Sequence, residues 1–285
     1  MDFIIILTAC LVAVSSSIIG CFLILRKMAM VGDAISHSVL PGIVIAFMMG
    51  GRLGSWYLLV GAAAFGIITT FLIEFFNKKG GMQHDATIGV VFTSLFAFGI
   101  ILVTVYARDV DIDQDCVLYG ELDHVTFEEG ILLGNFLVPY TVIRLSVMVL
   151  LVLALVIVGY RGLFLTTFDP AYAATIGISV MAWHYTLMAA VSLSTVLSFG
   201  SVGAILVVAF LITPPATAYL LTDNLKRMLL LAVGFGISGS IIGYYFATAI
   251  DGATSAAIAS ILGLQFIIVF VWKMVEKKYL ATVSN

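Results

Sequence analysis

Charged side chains make up only 10% of the 285 residues, against 62% hydrophobic, too few to cover the water-facing surface of a soluble globule of this size. A soluble enzyme is thereby excluded. A disordered chain is excluded as well, because apolar blocks of about 20 residues recur from end to end. Cysteine is scarce: Cys10 and Cys21 fall in the first apolar block and Cys116 in a polar stretch, so neither a disulfide frame nor a thiolate metal cluster is suggested. No basic stripe with interleaved aromatics exists to neutralise phosphates, which removes nucleic acid from the candidate partners. No Gly-x-x-x-x-Gly-Lys-Ser/Thr loop occurs either, so the chain cannot by itself use ATP in the P-loop manner. The first apolar block has a full spanning length and no Ala-x-Ala-like cleavage site closes it, so no cleavable signal is expected. No connection is long enough to fold alone. The expectation is one polytopic, all-α membrane domain over residues 1–285.

Apolar runs fall near 3 to 25, 34 to 50, 55 to 76, 87 to 107, 137 to 160, 181 to 198, 200 to 221, 228 to 249 and 254 to 273, each near the ~20 residues of one crossing. The sixth and seventh are separated only by Ser-Phe-Gly-Ser at 198 to 201, so eight crossings with a re-entrant piece are the alternative to nine. Lys and Arg are retained on the cytoplasmic side. Alternating nine blocks places ten of the 13 on one side: Arg26, Lys27, Lys78, Lys79, Arg161, Lys226, Arg227, Lys273, Lys277 and Lys278. Only Arg52, Arg108 and Arg144 fall on the other. This sorting favours nine, with the N-terminus outside and the C-terminus in the cytoplasm. The external connection from 108 to 130 then holds Asp109, Asp111, Asp113, Asp115, Glu121, Asp123, Glu128 and Glu129, half of the 16 acids. It reads as a solvated loop, or as a docking face or attractor for cations.

The segment Gly32-Asp33-Ala34-Ile35-Ser36-His37-Ser38-Val39-Leu40-Pro41-Gly42 carries the chemistry. Asp33 and His37, four apart, project from one helical face. Ionisable residues at membrane depth are costly and usually face a cavity or pathway. A carboxylate with an imidazole suits manganese, iron or zinc better than an alkali ion or Cu(I). Two ligands are too few for such ions, which take about four to six donors; two copies facing across a symmetric interface would supply four. The alternative is a self-neutralising pair that packs helices. Pro41 and Gly42 are expected to break or kink the helix and free backbone carbonyls, tolerated in lipid where they line a pathway; a simple kink is the alternative. Farther on, Asp169 suits an N-cap, Pro170 the first helical position and Gly177 the C-terminal cap. A short helix with small, exposed residues is expected there, at the cytoplasmic face. His184 reads as interfacial, and Gly239 and Gly243 as a close-packing face.

These segments, together with Arg26-Lys27-Met28-Ala29, Val202-Gly203-Ala204-Ile205-Leu206 and Thr213-Pro214-Pro215-Ala216, resemble the membrane permeases of bacterial manganese, zinc and iron ABC importers over nearly the whole chain. The resemblance implies a type II importer permease, not itself an enzyme, that moves a divalent metal ion across the bacterial cytoplasmic membrane and holds no permanent cofactor. It assigns metal handling to Asp33 and His37, and coupling to Asp169, Ala173 and Gly177, which would seat on a separate ATPase. It also implies a second permease chain, identical or paralogous, and an external metal-binding protein. Tyr119-Gly120 falls where that family has an aromatic-Gly motif, with Tyr in place of the usual Phe. Read from the residues alone, a gradient-driven secondary transporter or channel using Asp33 as a relay stays open.

Overall fold

The computed structural model describes residues 2–49, 56–81, 83–106, 122, 125, 130–133 and 136–283. Ten helices and one small hairpin follow in chain order: α1 (Asp2–Leu25), α2 (Met30–Ser38), α3 (Leu40–Met48), α4 (Trp56–Gly80), α5 (His84–Tyr106), β1 (Gly130–Leu133), β2 (Phe136–Pro139), α6 (Tyr140–Phe168), α7 (Pro170–Thr175), α8 (Val180–Leu221), α9 (Leu225–Ile250) and α10 (Thr254–Val283). The strands pair antiparallel with Gly130 opposite Pro139 and Leu133 opposite Phe136. Among the described residues this ribbon is the one departure from the all-α expectation, and Pro139, with an extended ψ of 145°, ends it and opens α6.

Among the described residues eight helical segments are long and apolar enough to cross a membrane, with α2 and α3 together making one of them. The two blocks expected on either side of 198 to 201 are joined in α8, whose helix runs through those residues and breaks instead at Gly203, at φ 79° and ψ 163°. A straight helix of 42 residues would reach about 63 Å. α8 does not run straight: Trp183 near its start lies against Gly159 and Gly162 of α6, and Lys226, just past its end, sits 5.6 Å from the ring of Tyr160 between them. One turn of α6 thus meets both ends. α8 folds back at Gly203, and its two arms reproduce the alternation that the charge sorting demands of nine blocks.

The core is built where small residues let helices touch. α1 and α8 share the most extensive packing; a Cβ on Gly20 would lie 2.0 Å from the Leu211 carbonyl oxygen. Gly42 of α3 and Gly61 of α4 face each other as closely, and Gly243 of α9 abuts Ile258 of α10. Around these crossings Phe22, Leu23, Ile35, Leu187, Met188 and Phe210 are fully buried. Arg26, at the end of α1, donates from Nη2 to Thr166 Oγ1 at 2.9 Å and from Nε to Thr167 Oγ1 at 3.1 Å. With Lys78, Arg161 and Lys226 it marks a basic end of the bundle, where burial lowers the pKa of its guanidinium without discharging it.

Candidate functional site

α2 begins after a tight turn in which Lys27 takes a left-handed φ of 58° and Met28 N–H returns to Leu23 O at 2.8 Å. The helix therefore rises from the basic end with Asp33 in its first turn and His37 in its last. Their side chains meet, His37 Nε2 to Asp33 Oδ1 at 3.5 Å, each roughly a third exposed at 27% and 35%. That separation is longer than a good hydrogen bond. It equals the gap between two ligands that share one ion at ~2.1 Å and an angle of about 110°. Phe92 and Phe96 of α5 wall the imidazole, with ring centroids 5.6 and 5.7 Å away, leaving an apolar side and an open side.

Beyond the pair the helical bonding is interrupted at Val39, whose φ of −71° and ψ of −24° stay helical, so the chain kinks and runs on. Val39 closes α2 by donating to Ile35 O at 3.2 Å, and α3 starts at Leu40. Pro41 has no N–H to return to the carbonyl four residues back, which is that of His37. The break thus leaves an oxygen one residue's width from the imidazole without its helical donor. Pro41 and Gly42 are themselves buried: Pro41 lies beside Gly99 of α5 and Gly42 beside Gly61 of α4. Ser38 anchors the segment through a 2.6 Å hydroxyl contact to Thr69. No group of three or more His, Cys, Asp or Glu side chains gathers among the described residues, so within one chain the pair stands with two strong ligands.

The segment from 169 to 177 folds as its caps dictate. Asp169 accepts from Tyr172 N–H at 2.9 Å, Pro170 opens α7, and Ile178 N–H returns to Ala173 O at 2.9 Å around Gly177, whose φ is +82°. That is the reciprocal bonding of a glycine-terminated helix. One expectation is corrected. Ala173 is not an exposed face for a partner; it is fully buried at 0%, because α7 lies flat on the bundle and turns this one of its three alanines onto α6 and α8. Tyr172 at 53% and Ile176 at 41% point outward instead, with Phe168 at 50% just before them.

His184 stands near the start of α8, at the basic end of the bundle beside Lys78. It turns inward to 17% exposure and lies 3.8 Å from Oε2 of Glu74, itself 17% exposed. Glu74 escaped the sequence reading altogether, although a carboxylate inside an apolar block, four residues before Lys78, is the signal that finds such a residue. The acidic connection with Asp111, Asp113, Asp115 and His124, the Tyr119-Gly120 motif and Cys116 lie outside the described residues, where only Leu122 and Val125 are placed, both buried.

Comparison with known proteins agrees with this architecture. The manganese transport system membrane protein MntD of Bacillus subtilis (strain 168) is 45% identical over 268 residues, 94% of this chain and 90% of that protein. The zinc transport system membrane protein TroD of Treponema pallidum (strain Nichols) is 39% identical over 94% of this chain and 73% of its own length. A solved structure, PsaBC from Streptococcus pneumoniae in complex with Fab, superposes with a TM-score of 0.77 at 31% identity, covering 93% of this chain and 89% of that one. Residues 3–273 match the ABC 3 transport family, and the chain belongs to it.

Proposed function

We propose that this chain is the membrane permease of an ATP-driven importer that carries a divalent transition metal, manganese first, across the bacterial cytoplasmic membrane. The observation that carries the reading is the Asp33–His37 pair, set 3.5 Å apart on a helix whose proline break strips a donor from the neighbouring carbonyl. Carboxylate, imidazole and carbonyl oxygen form an oxygen and nitrogen donor set without thiolate, which suits manganese. Relatives at 45% and 41% identity are named as manganese transport proteins. Zinc is the competing cargo, since zinc accepts the same donors and one relative is named for it.

Two donors per chain call for a second permease, identical or paralogous, facing this one so that four donors meet near the axis. The exposed side chains of Tyr172, Ile176 and Phe168 form an apolar face for a separate ATPase, where hydrolysis occurs; a gradient-driven carrier has no use for such a segment. An external metal-binding protein would deliver the ion at the end opposite Arg26, Lys78 and Lys226, and retention of basic residues inside supports a cytoplasmic position for that basic end and the C-terminus. The test is uptake of radioactive manganese by cells that depend on this permease, with zinc and iron supplied as competitors. Saturable uptake lost in Asp33→Ala and His37→Ala at matched expression supports the reading; wild-type uptake by either variant overturns it.

A further inference from the structure

We propose that Glu74 and His184 form a second divalent-cation site at the basic end of the bundle, which the ion meets after leaving Asp33 and His37. The inference rests on the import reading above. A cavity of about 170 Å³ opens between three elements there. Its walls are Met28 and Val31 at the start of α2, the face of α4 that carries Glu74, Asn77 and Lys78, and His184 of α8. Val31 stands two residues before Asp33, so the cavity adjoins the basic-end side of the first pair along the same helix.

Ion pairing alone does not account for the arrangement. Lys78 donates to Glu74 Oε1 one turn away, and Tyr185 also bonds the carboxylate, which would neutralise and hold it without any third group. Yet Oε2 is buried with no hydrogen-bond partner and faces the imidazole at 3.8 Å. An unsatisfied carboxylate oxygen at that depth is costly. The spacing is too long for a hydrogen bond but would hold one ion at ~2.1 Å with an angle of about 130°, open by only roughly 0.4 Å from tetrahedral. Asn77 and the Met28 thioether on the same cavity offer further donors, and water can complete the shell.

The position of the two ligands makes the site releasable. Glu74 rides on α4, whereas His184 lies in the second turn of α8, five residues past its N-cap Ser179, which follows the α7 segment that faces the ATPase. Movement of α7 is transmitted to His184 through Trp183, seated on Gly159 and Gly162, and draws it from Glu74. The Lys78 ammonium, already on the carboxylate, competes with the ion and repels it once the ligands part.

The experiment uses the full-length permease in detergent with Mn²⁺ alone as probe, free ion being read by its paramagnetic resonance signal. A variant lacking the first pair, Asp33→Ala with His37→Ala, is expected to retain Mn²⁺ binding, and adding Glu74→Gln and His184→Gln to weaken that residual binding at least about tenfold. His184→Glu, which keeps a ligand but destroys the imidazole packing, should retain binding; a purely structural histidine would not be rescued this way. Lys78→Gln should tighten binding yet slow uptake. Residual binding that is absent, or indifferent to Glu74→Gln and His184→Gln, overturns the second site. Uptake that survives Asp33→Ala would overturn the import reading instead, so the two failures are distinguishable.

Discussion

α1 and α5 are equally apolar, with mean hydropathy 2.4 and 2.5 over their spanning windows, but 61% of the first window is buried and only 17% of the second. Water sorts helices by polarity; lipid does not, because a hydrocarbon tail is as apolar as a neighbouring leucine. Each carries four hydroxyl residues; what separates the two is where they lie, since Thr93, Ser94 and Thr104 of α5 are exposed. α1 brings Ser16, Ser17 and Gly20 to the interior, and α8 answers with Ser194, Thr195 and Ser198, all buried. Small side chains let the backbones approach, and these five hydroxyls, buried without a hydrogen-bond partner among the described residues, make the seam polar. α5 instead spends two phenylalanines on His37 and leaves Ile101 and Val105 each 60% exposed. Hydropathy therefore tells which segments cross, and which of them lie inside depends on whether their small residues meet those of a neighbouring helix.

The harshest way to break the comparison is Gly20→Leu. Any Cβ there would meet the Leu211 backbone at 2.0 Å and the Pro215 ring at 2.9 Å, so α1 and α8 must separate along their length. Loss of nearly all monodisperse protein in a detergent extract is the expected result, and normal yield would show that the seam between these helices is not the stabilising contact. Next in size come Asp33→Ala and His37→Ala. Loss of a supporting partner costs a metal site about 10–100-fold, and loss of a ligand at least as much. Manganese uptake should fall by that order while extractable protein is unchanged.

That ordering follows from what could be read before any fold was known. The apolar blocks, the Asp33–His37 face, the proline break and the caps of α7 are local, each encoded within about ten consecutive residues, and all were legible. Three features were not. The break in α8 falls at Gly203 and not in Ser-Phe-Gly-Ser, because serine and glycine are tolerated within a helix and only φ of 79° distinguishes one glycine from its neighbours. Ala173 turned inward because the face of a short helix that meets the bundle is set by tertiary packing, to which a six-residue pattern gives no periodicity. Glu74 meets His184 across 110 positions of sequence, a distance over which spacing carries no information.

Smaller effects are expected at α7. Gly177→Val imposes a β-branched residue on a φ of +82°, a strain of about 1–2 kcal/mol, and Ala173→Trp lifts α7 off α6 and α8. Both should lower ATPase pull-down and uptake together, by several-fold, with Mn²⁺ binding at Asp33 and His37 unchanged. Tyr172→Ala removes an outward side chain without disturbing the fold. It should weaken the pull-down alone, and an unchanged pull-down would move the docking face elsewhere.

The smallest effect is expected on α5, at Gly89→Ala, and it sharpens the contrast with Gly20 because the two residues differ only in surroundings. A Cβ on Gly89 meets nothing within 4 Å, whereas helical alanine is favoured over glycine by up to ~1 kcal/mol. Thr93 Oγ1 already donates to the Gly89 carbonyl at 2.7 Å, and a methyl group on the same residue leaves that bond in place. Uptake should stay within about a factor of two of wild type, the change in stability being of the order seen at open surface positions. The measurement is manganese uptake beside thermal stability in detergent, with Gly20→Ala as the companion variant from the inner helix. A tenfold loss of uptake in Gly89→Ala with unchanged stability would mean that another chain presses on this face of α5, and that its low burial within one chain marks an interface and not lipid.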